Sequence, residues 1–121
     1  MGLDQRAYVL LPEEAGTRET GNDVWGIGIF EWRKHPNLHG WMEALYRAKG
    51  GTGEFNCCSV RLELSDLDAL EADIKADRLP QTTGFFFGRS RPEEKDDDLL
   101  FIRLAREAIA AGRVVFYTAD W

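Results

Sequence analysis

The stretch Cys58-Ser59-Val60-Arg61-Leu62-Glu63-Leu64, followed without a break by Ser65-Asp66-Leu67-Asp68-Ala69-Leu70-Glu71-Ala72-Asp73-Ile74, carries both periodicities of a mixed fold. Cys58, Val60, Leu62 and Leu64 alternate with Ser59, Arg61 and Glu63, the period of two that a half-buried strand requires. From Ser65 onward the apolar positions move to Leu67, Leu70 and Ile74, one face of a helix. Asp68 stands three residues after Ser65, at the capping-box position, and Pro80 closes the segment.

The same alternation of element types extends in both directions. Upstream, Leu38, Trp41, Met42, Leu45 and Tyr46 recur at helical spacing behind a His35-Pro36-Asn37 turn, and Gly50-Gly51-Thr52-Gly53 stops that helix. Before it, Val24 to Arg33 reads as a strand in which Trp25, Ile27 and Ile29 alternate with Gly26, Gly28 and Phe30. The two glycines mark a bulge or a close approach of another element. Ala7 to Leu11 reads as a short strand ended by Pro12, and the polar Glu13 to Asp23 stretch as a mobile loop. Downstream, Phe85-Phe86-Phe87 between Gly84 and Gly88 reads as a short strand or a buried corner, and Arg89 to Asp98 as a charged loop. Asp96, Asp97 and Asp98 enter a third helix through Phe101, Leu104, Ala105 and Ala108. Gly112 caps it, and Val114 to Tyr117 form a last strand. The expected fold class is α+β: one small domain over residues 1–121, a sheet of four to five strands packed with three helices. Residues 1–23 are expected as a partly mobile N-terminal extension of a core spanning 24–121.

Composition narrows the function. The 121 residues are 44% hydrophobic and 30% charged, a globular balance that excludes wholesale disorder. No apolar run approaches the roughly 20 residues of a membrane span, and the first residues lack the order of a secretory signal, so a cytoplasmic location is expected. The formal net charge of −6 argues against direct nucleic-acid binding and against anionic membranes, and permits a basic partner. Cys57 and Cys58 are adjacent and have no third cysteine to pair with, in keeping with a reducing compartment; one is expected as a small buried hydrophobe.

Candidate chemistry is sparse. His35 and His39 have the i, i+4 spacing of a zinc helix, but Pro36 places His35 before the helix and no Glu follows it, so no metal is expected. His39 remains a candidate general acid or base. Trp32-Arg33-Lys34 sets two cations and an aromatic at a strand-to-helix junction, where exposed N–H groups favour anions. The glycine clusters match no phosphate cradle, no nucleophile elbow is present, and no cofactor is expected. Asp96, Asp97 and Asp98 read first as helix-capping acids.

The ordered set W-R-K-x-x-x-L-H-x-W-M (Trp32 to Met42), L-P-x-T-x-G-F-F-F-G (Leu79 to Gly88) and the aromatic C-terminus V-F-Y-T-A-D-W resembles a family of small, poorly characterised bacteriophage and prophage proteins. The resemblance runs from about Trp32 to Trp121. It implies a phage or prophage origin and singles out Trp32, Arg33, Lys34, His39, Trp41 and Gly84 to Gly88 as motif positions. A phosphoglycerate kinase label that circulates for such proteins does not suit so short a chain without a nucleotide motif. The expectation that follows is an accessory protein that binds a host protein or complex in the host cytoplasm, blocking a defence system such as CRISPR in one version. Trp32, Arg33, Lys34, His39, Trp41 and Phe86 are its candidate contacts, and Glu93, Glu94, Asp96, Asp97 and Asp98 a candidate acidic face mimicking phosphate charge. The alternatives are a small enzyme or anion-binding protein in which Arg33, Lys34 and His39 share an aromatic-lined recess, and a virion assembly component that forms homo-oligomers.

Overall fold

The structure, a computed structural model, describes residues 2–24 and 26–121. Nine elements follow in chain order: β1 (Asp4–Leu10), α1 (Pro12–Ala15), β2 (Thr20–Asn22), β3 (Ile27–Arg33), α2 (Pro36–Ala48), β4 (Cys58–Leu62), α3 (Leu64–Lys75), α4 (Glu94–Ala110) and β5 (Val114–Asp120). The strands form one antiparallel sheet in the order β2-β4-β5-β1-β3. With α2, α3 and α4 packed on one sheet face and the short α1 against the other, this is the expected α+β class in a single small domain.

Strand periodicity divides the apolar side chains between two layers. Ala7, Val9, Trp32, Val60, Leu62, Val115, Tyr117 and Ala119 form one buried cluster with Leu38, Met42 and Tyr46 of α2, Leu67, Leu70 and Ile74 of α3, and Phe101, Ile102 and Ala105 of α4. Tyr8, Leu10, Val114 and Phe116 face the other way and are covered by Ala15 and Val24. There Tyr8 and Phe116 stack with centroids 5.5 Å apart, and Arg6 and Arg18 lie over their rings. Both faces of β1 and β5 are therefore covered, which explains why Ala7 to Leu10 and Val114 to Tyr117 read as continuous apolar runs.

Several boundaries differ from expectation. Within the expected 1–23 extension, the described residues are not an appendage: β1 pairs with β3 on one side and β5 on the other, so the sheet is incomplete without it. The Glu13 to Asp23 stretch contains the end of α1 and all of β2, which adds a strand beside β4. Trp25, placed in the expected Val24 to Arg33 strand, lies outside the described residues; the observed strand begins at Ile27. Its glycines act as expected. The β1–β3 register shifts between Ala7 and Tyr8, and a Cβ at Gly26 would stand 2.5 Å from the Tyr8 ring. The second helix starts one residue before Ser65, with the Asp66 carboxylate accepting the Glu63 N–H at 2.9 Å, so Asp68 is not the capping acid. Neither cysteine is fully buried.

Phe101 is the fully buried pivot of α4, meeting Trp32 edge-on at 4.8 Å, while the adjacent Leu100 is exposed. Phe101→Ala is expected to cost about 3–5 kcal/mol in urea denaturation through lost transfer energy and a cavity. Leu100→Ala is expected to stay within about 0.5 kcal/mol of the parent.

Candidate functional site

The junction between β3 and α2 is held by a polar network that the dominant hydrophobic core surrounds. At the end of β3 the chain turns through Lys34, at a φ of 56°, and enters α2 at Pro36. His35 between them keeps the non-helical backbone that a following proline imposes. The carboxamide of Gln5 pairs with both sides of that residue: its Oε1 accepts the His35 N–H at 2.9 Å and its Nε2 donates to the His35 carbonyl at 3.1 Å. A buried side chain thus satisfies backbone groups that have no strand partner at this turn.

The His35 ring is itself buried among α4 side chains. Nε2 donates to Asp98 Oδ2 at 2.8 Å, and the other oxygen of that carboxylate accepts the Trp32 indole N–H at 3.0 Å. Nδ1 lies 2.6 Å from Ser90 Oγ and 3.2 Å from Glu94 Oε2. Glu94 and Asp98 are four residues apart, so the helix brings both carboxylates to one face. They address opposite nitrogens of one imidazole and do not converge on a shared point. Among the described residues no group of three or more His, Cys, Asp or Glu side chains could hold a metal ion.

The network continues away from α4. Gln5 Nε2 also donates to the Tyr117 hydroxyl at 2.9 Å, and that hydroxyl is hydrogen-bonded to His39 Nδ1 at 2.9 Å. His39 stacks on Phe55 at 5.1 Å and meets Phe87 edge-on at 5.5 Å. Burial holds the His39 pKa down to about 4, so the ring is neutral at pH 7. Burial likewise pushes the Tyr117 phenol up, keeping it a donor.

The structure scatters the residues proposed for an anion site. Arg33 is exposed and paired with Asp4, while His39 points into the core. The stem of Lys34 runs past Gly88, where a Cβ would stand 3.1 Å from it. Arg33, Lys34 and His39 therefore do not share a recess. Trp32 is buried, and Trp41 is half-buried with its indole N–H bonded to Asp73 Oδ2 at 2.9 Å; both serve packing between elements. The proposed acidic face also divides. Glu93, Asp96 and Asp97 are exposed, whereas Glu94 and Asp98 are buried, because helix α4 begins at Glu94 and turns these two inward. Asp98 is no cap; it belongs to the fifth position of the helix.

Phe85-Phe86-Phe87 is neither strand nor buried corner. It is a turn closed by the Phe87 N–H on the Gly84 carbonyl at 3.2 Å, and the non-glycine Phe86 sits at a φ of 60°. Phe87 is buried against His39 and Trp121, but Phe85 is 75% exposed and Phe86 51%. The segment is pinned on both sides of that tip. The Thr82 N–H donates to Asn37 Oδ1 at 3.0 Å, and Ser90 Oγ accepts the Asn37 N–H at 3.0 Å beside its contact with His35. The residues absent from the sequence-based site are thus Gln5, His35, Ser90 and Tyr117. Gln5 and Ser90 carry no local signal of burial, since partners 30 and 55 positions away decide their environment.

Beside His35 and Ser90, a cleft of about 230 Å³ is lined also by Asn37, Asp98, Leu79 and Lys95, among others. It is smaller than the roughly 300–1,000 Å³ of typical ligand pockets. Among the described residues no helix is long and apolar enough to cross a membrane. Comparison with protein-family models, curated proteins and solved structures finds no match for the chain.

Asp98→Ala strands two buried N–H donors, so a loss of roughly 3–5 kcal/mol is expected, against no more than about 0.5 kcal/mol for the exposed Asp97→Ala. Chemical denaturation of the two variants checks the difference. His39 makes stability depend on pH in a definite direction. Its pKa falls from 6.5 to about 4 on folding, so below pH 6.5 the unfolded chain binds the extra proton. Stability is expected to decline as pH drops through that window, by up to about 3 kcal/mol from this residue. His39→Phe should show a correspondingly shallower decline in urea midpoints measured between pH 7 and about pH 4.

Proposed function

We propose that the chain is a phage or prophage accessory protein that acts by binding a host protein, with the Gly84 to Gly88 turn as its contact surface. The observation that carries this reading is the exposure of Phe85 and Phe86 on a turn whose flanks are fastened to the core. Two phenylalanines with centroids 4.2 Å apart form a contiguous apolar patch, the kind of surface feature that marks interaction sites. Aromatic side chains with few rotatable bonds lose little entropy on docking, and a pinned turn reduces the ordering cost further. The resemblance to phage proteins supports the choice of a host partner. Phosphate mimicry, the mechanism suggested for blocking a nucleic-acid-handling defence complex, has less support, because two of its five acids lie inside the fold.

The test is affinity capture from host lysate by the parent chain and by Phe85→Ser/Phe86→Ser. The variant is expected to melt within a few degrees of the parent, because both rings face solvent, and to lose a partner that the parent captures stoichiometrically. Equal capture by both forms would refute this contact surface.

A second reading, a small enzyme, draws on one arrangement: Ser90 Oγ, His35 and Asp98 stand in line beside the cleft. Ser90, His35 and Asp98 stand here in place of Arg33, Lys34 and His39, which share no recess. The order of a hydroxyl, an imidazole and a carboxylate is that of an activated nucleophile. Against it, the hydroxyl oxygen already accepts the Asn37 N–H, and Glu94 crowds the same ring nitrogen. A fluorophosphonate probe discriminates: labelling of the parent that disappears in Ser90→Ala would favour the enzyme, whereas an unlabelled parent leaves Ser90 as the anchor of the turn.

A further inference from the structure

The cations around the aromatic turn are distributed unevenly. The chain has 15 Lys and Arg residues, and most are engaged in ion pairs, hydrogen bonds or ring contacts. Among the described residues, the side chains of Lys34, Arg89 and Arg113 make none of these contacts. Two of the three flank the Phe85–Phe86 turn. Lys34 lies along it: a Cβ at Gly2 would stand 3.0 Å from Lys34 Cε and 3.1 Å from the Phe86 carbonyl oxygen, so the ammonium end and the turn backbone meet at one place. Arg89 follows the turn directly after Gly88 and is exposed. On a chain with a net charge of −6, two unpaired cations beside two exposed phenylalanines form a local reversal of sign.

We infer that the turn's partner is an acidic protein segment in which carboxylates meet Lys34 and Arg89 while an apolar side chain packs on Phe85 and Phe86. The inference rests on the reading that this turn docks a partner protein, and it adds the chemistry of that partner. Unpaired cations cost nothing to release from an internal ion pair, so a carboxylate arriving here gains a charge-assisted bond without breaking one. The aromatic pair supplies the apolar anchor, and the charges select register and partner. A single-stranded nucleic acid also combines stacking with negative charge, but the observations favour protein. Two cations neutralise few phosphates, and the exposed Glu93, Asp96 and Asp97 a few residues further along repel a polyanion that tracks beyond the turn.

The experiment is selection from a random dodecapeptide display library on the full chain, with Phe85→Ser/Phe86→Ser panned in parallel. Peptides enriched on the parent alone are expected to combine Asp or Glu with Leu, Ile or an aromatic. A synthetic copy of the most enriched peptide is expected to bind at least about tenfold more weakly to Lys34→Glu/Arg89→Glu, and to lose affinity as salt rises. Enrichment of basic or uncharged peptides that still requires Phe85 and Phe86 would overturn the acidic partner and leave the docking turn standing. So would an enriched peptide indifferent to the charge reversal. Equal enrichment on the parent and the Phe variant, or none on either, would overturn both. Tighter binding of an oligothymidine of about 20 nucleotides than of any selected peptide, abolished in both variants, would replace the acidic segment with a nucleic acid.

Discussion

The carboxylate of Asp98 is the interaction on which the rest of this structure depends. Its two oxygens hold the Trp32 indole and the His35 imidazole, and so tie the second turn of α4 to the end of β3 and the entrance of α2. Burying a carboxylate is costly in solvation, and that cost is offset only when the geometry supplies strong bonds to both oxygens. Here it does. Trp32, once oriented, packs on Phe101 and Tyr117, and His35, once oriented, reaches Ser90. Apolar packing alone would let α4 slide or rotate at modest cost; a directional bond at each carboxylate oxygen leaves one arrangement.

From this node the constraint passes outward to the surface. Ser90 and Asn37 fasten one side of the aromatic turn, Thr82 and Asn37 the other, and Phe87 plugs it into the core. The tip then carries what folding alone would not favour. Two large apolar rings face water, and Phe86 adopts a left-handed backbone that a bulky side chain rarely takes. Local strain held in place by over-determined surroundings is a mark of functional positions. The interior and the exposed turn are linked in this way: the network fastens both flanks of a surface that folding alone would not favour.

Much of the fold was legible from local pattern. The alternation at Cys58 to Leu62 and the helical spacing from Leu38 to Tyr46 both became the elements their periods implied, because half-buried elements display their buried face in sequence. The first strand carries a strand pattern at Ala7 to Leu11 inside a stretch whose polar, turn-rich remainder resembles an extension. Its central place follows from pairings with residues up to 116 positions away, which no local pattern records. The candidate site was less legible still. Asp98 looked like one of three equivalent acids, yet a 100° step per residue turned it inward and left Asp97 in water. Nothing local marks Gln5, and it is the side chain that completes the backbone of His35.

The sequence by itself determined the class of fold, the order of its main helices and strands, and the motif segments that carry Trp32, His39 and the phenylalanine triplet. Those properties depend on hydrophobic period and on turn residues, which act over a few positions. Only the tertiary structure decided which polar groups are buried, which of the five acids face solvent, and which of the three phenylalanines are exposed. Each of those outcomes depends on partners brought together by sheet order and helix packing, and burial is a property of that assembly rather than of any residue in it.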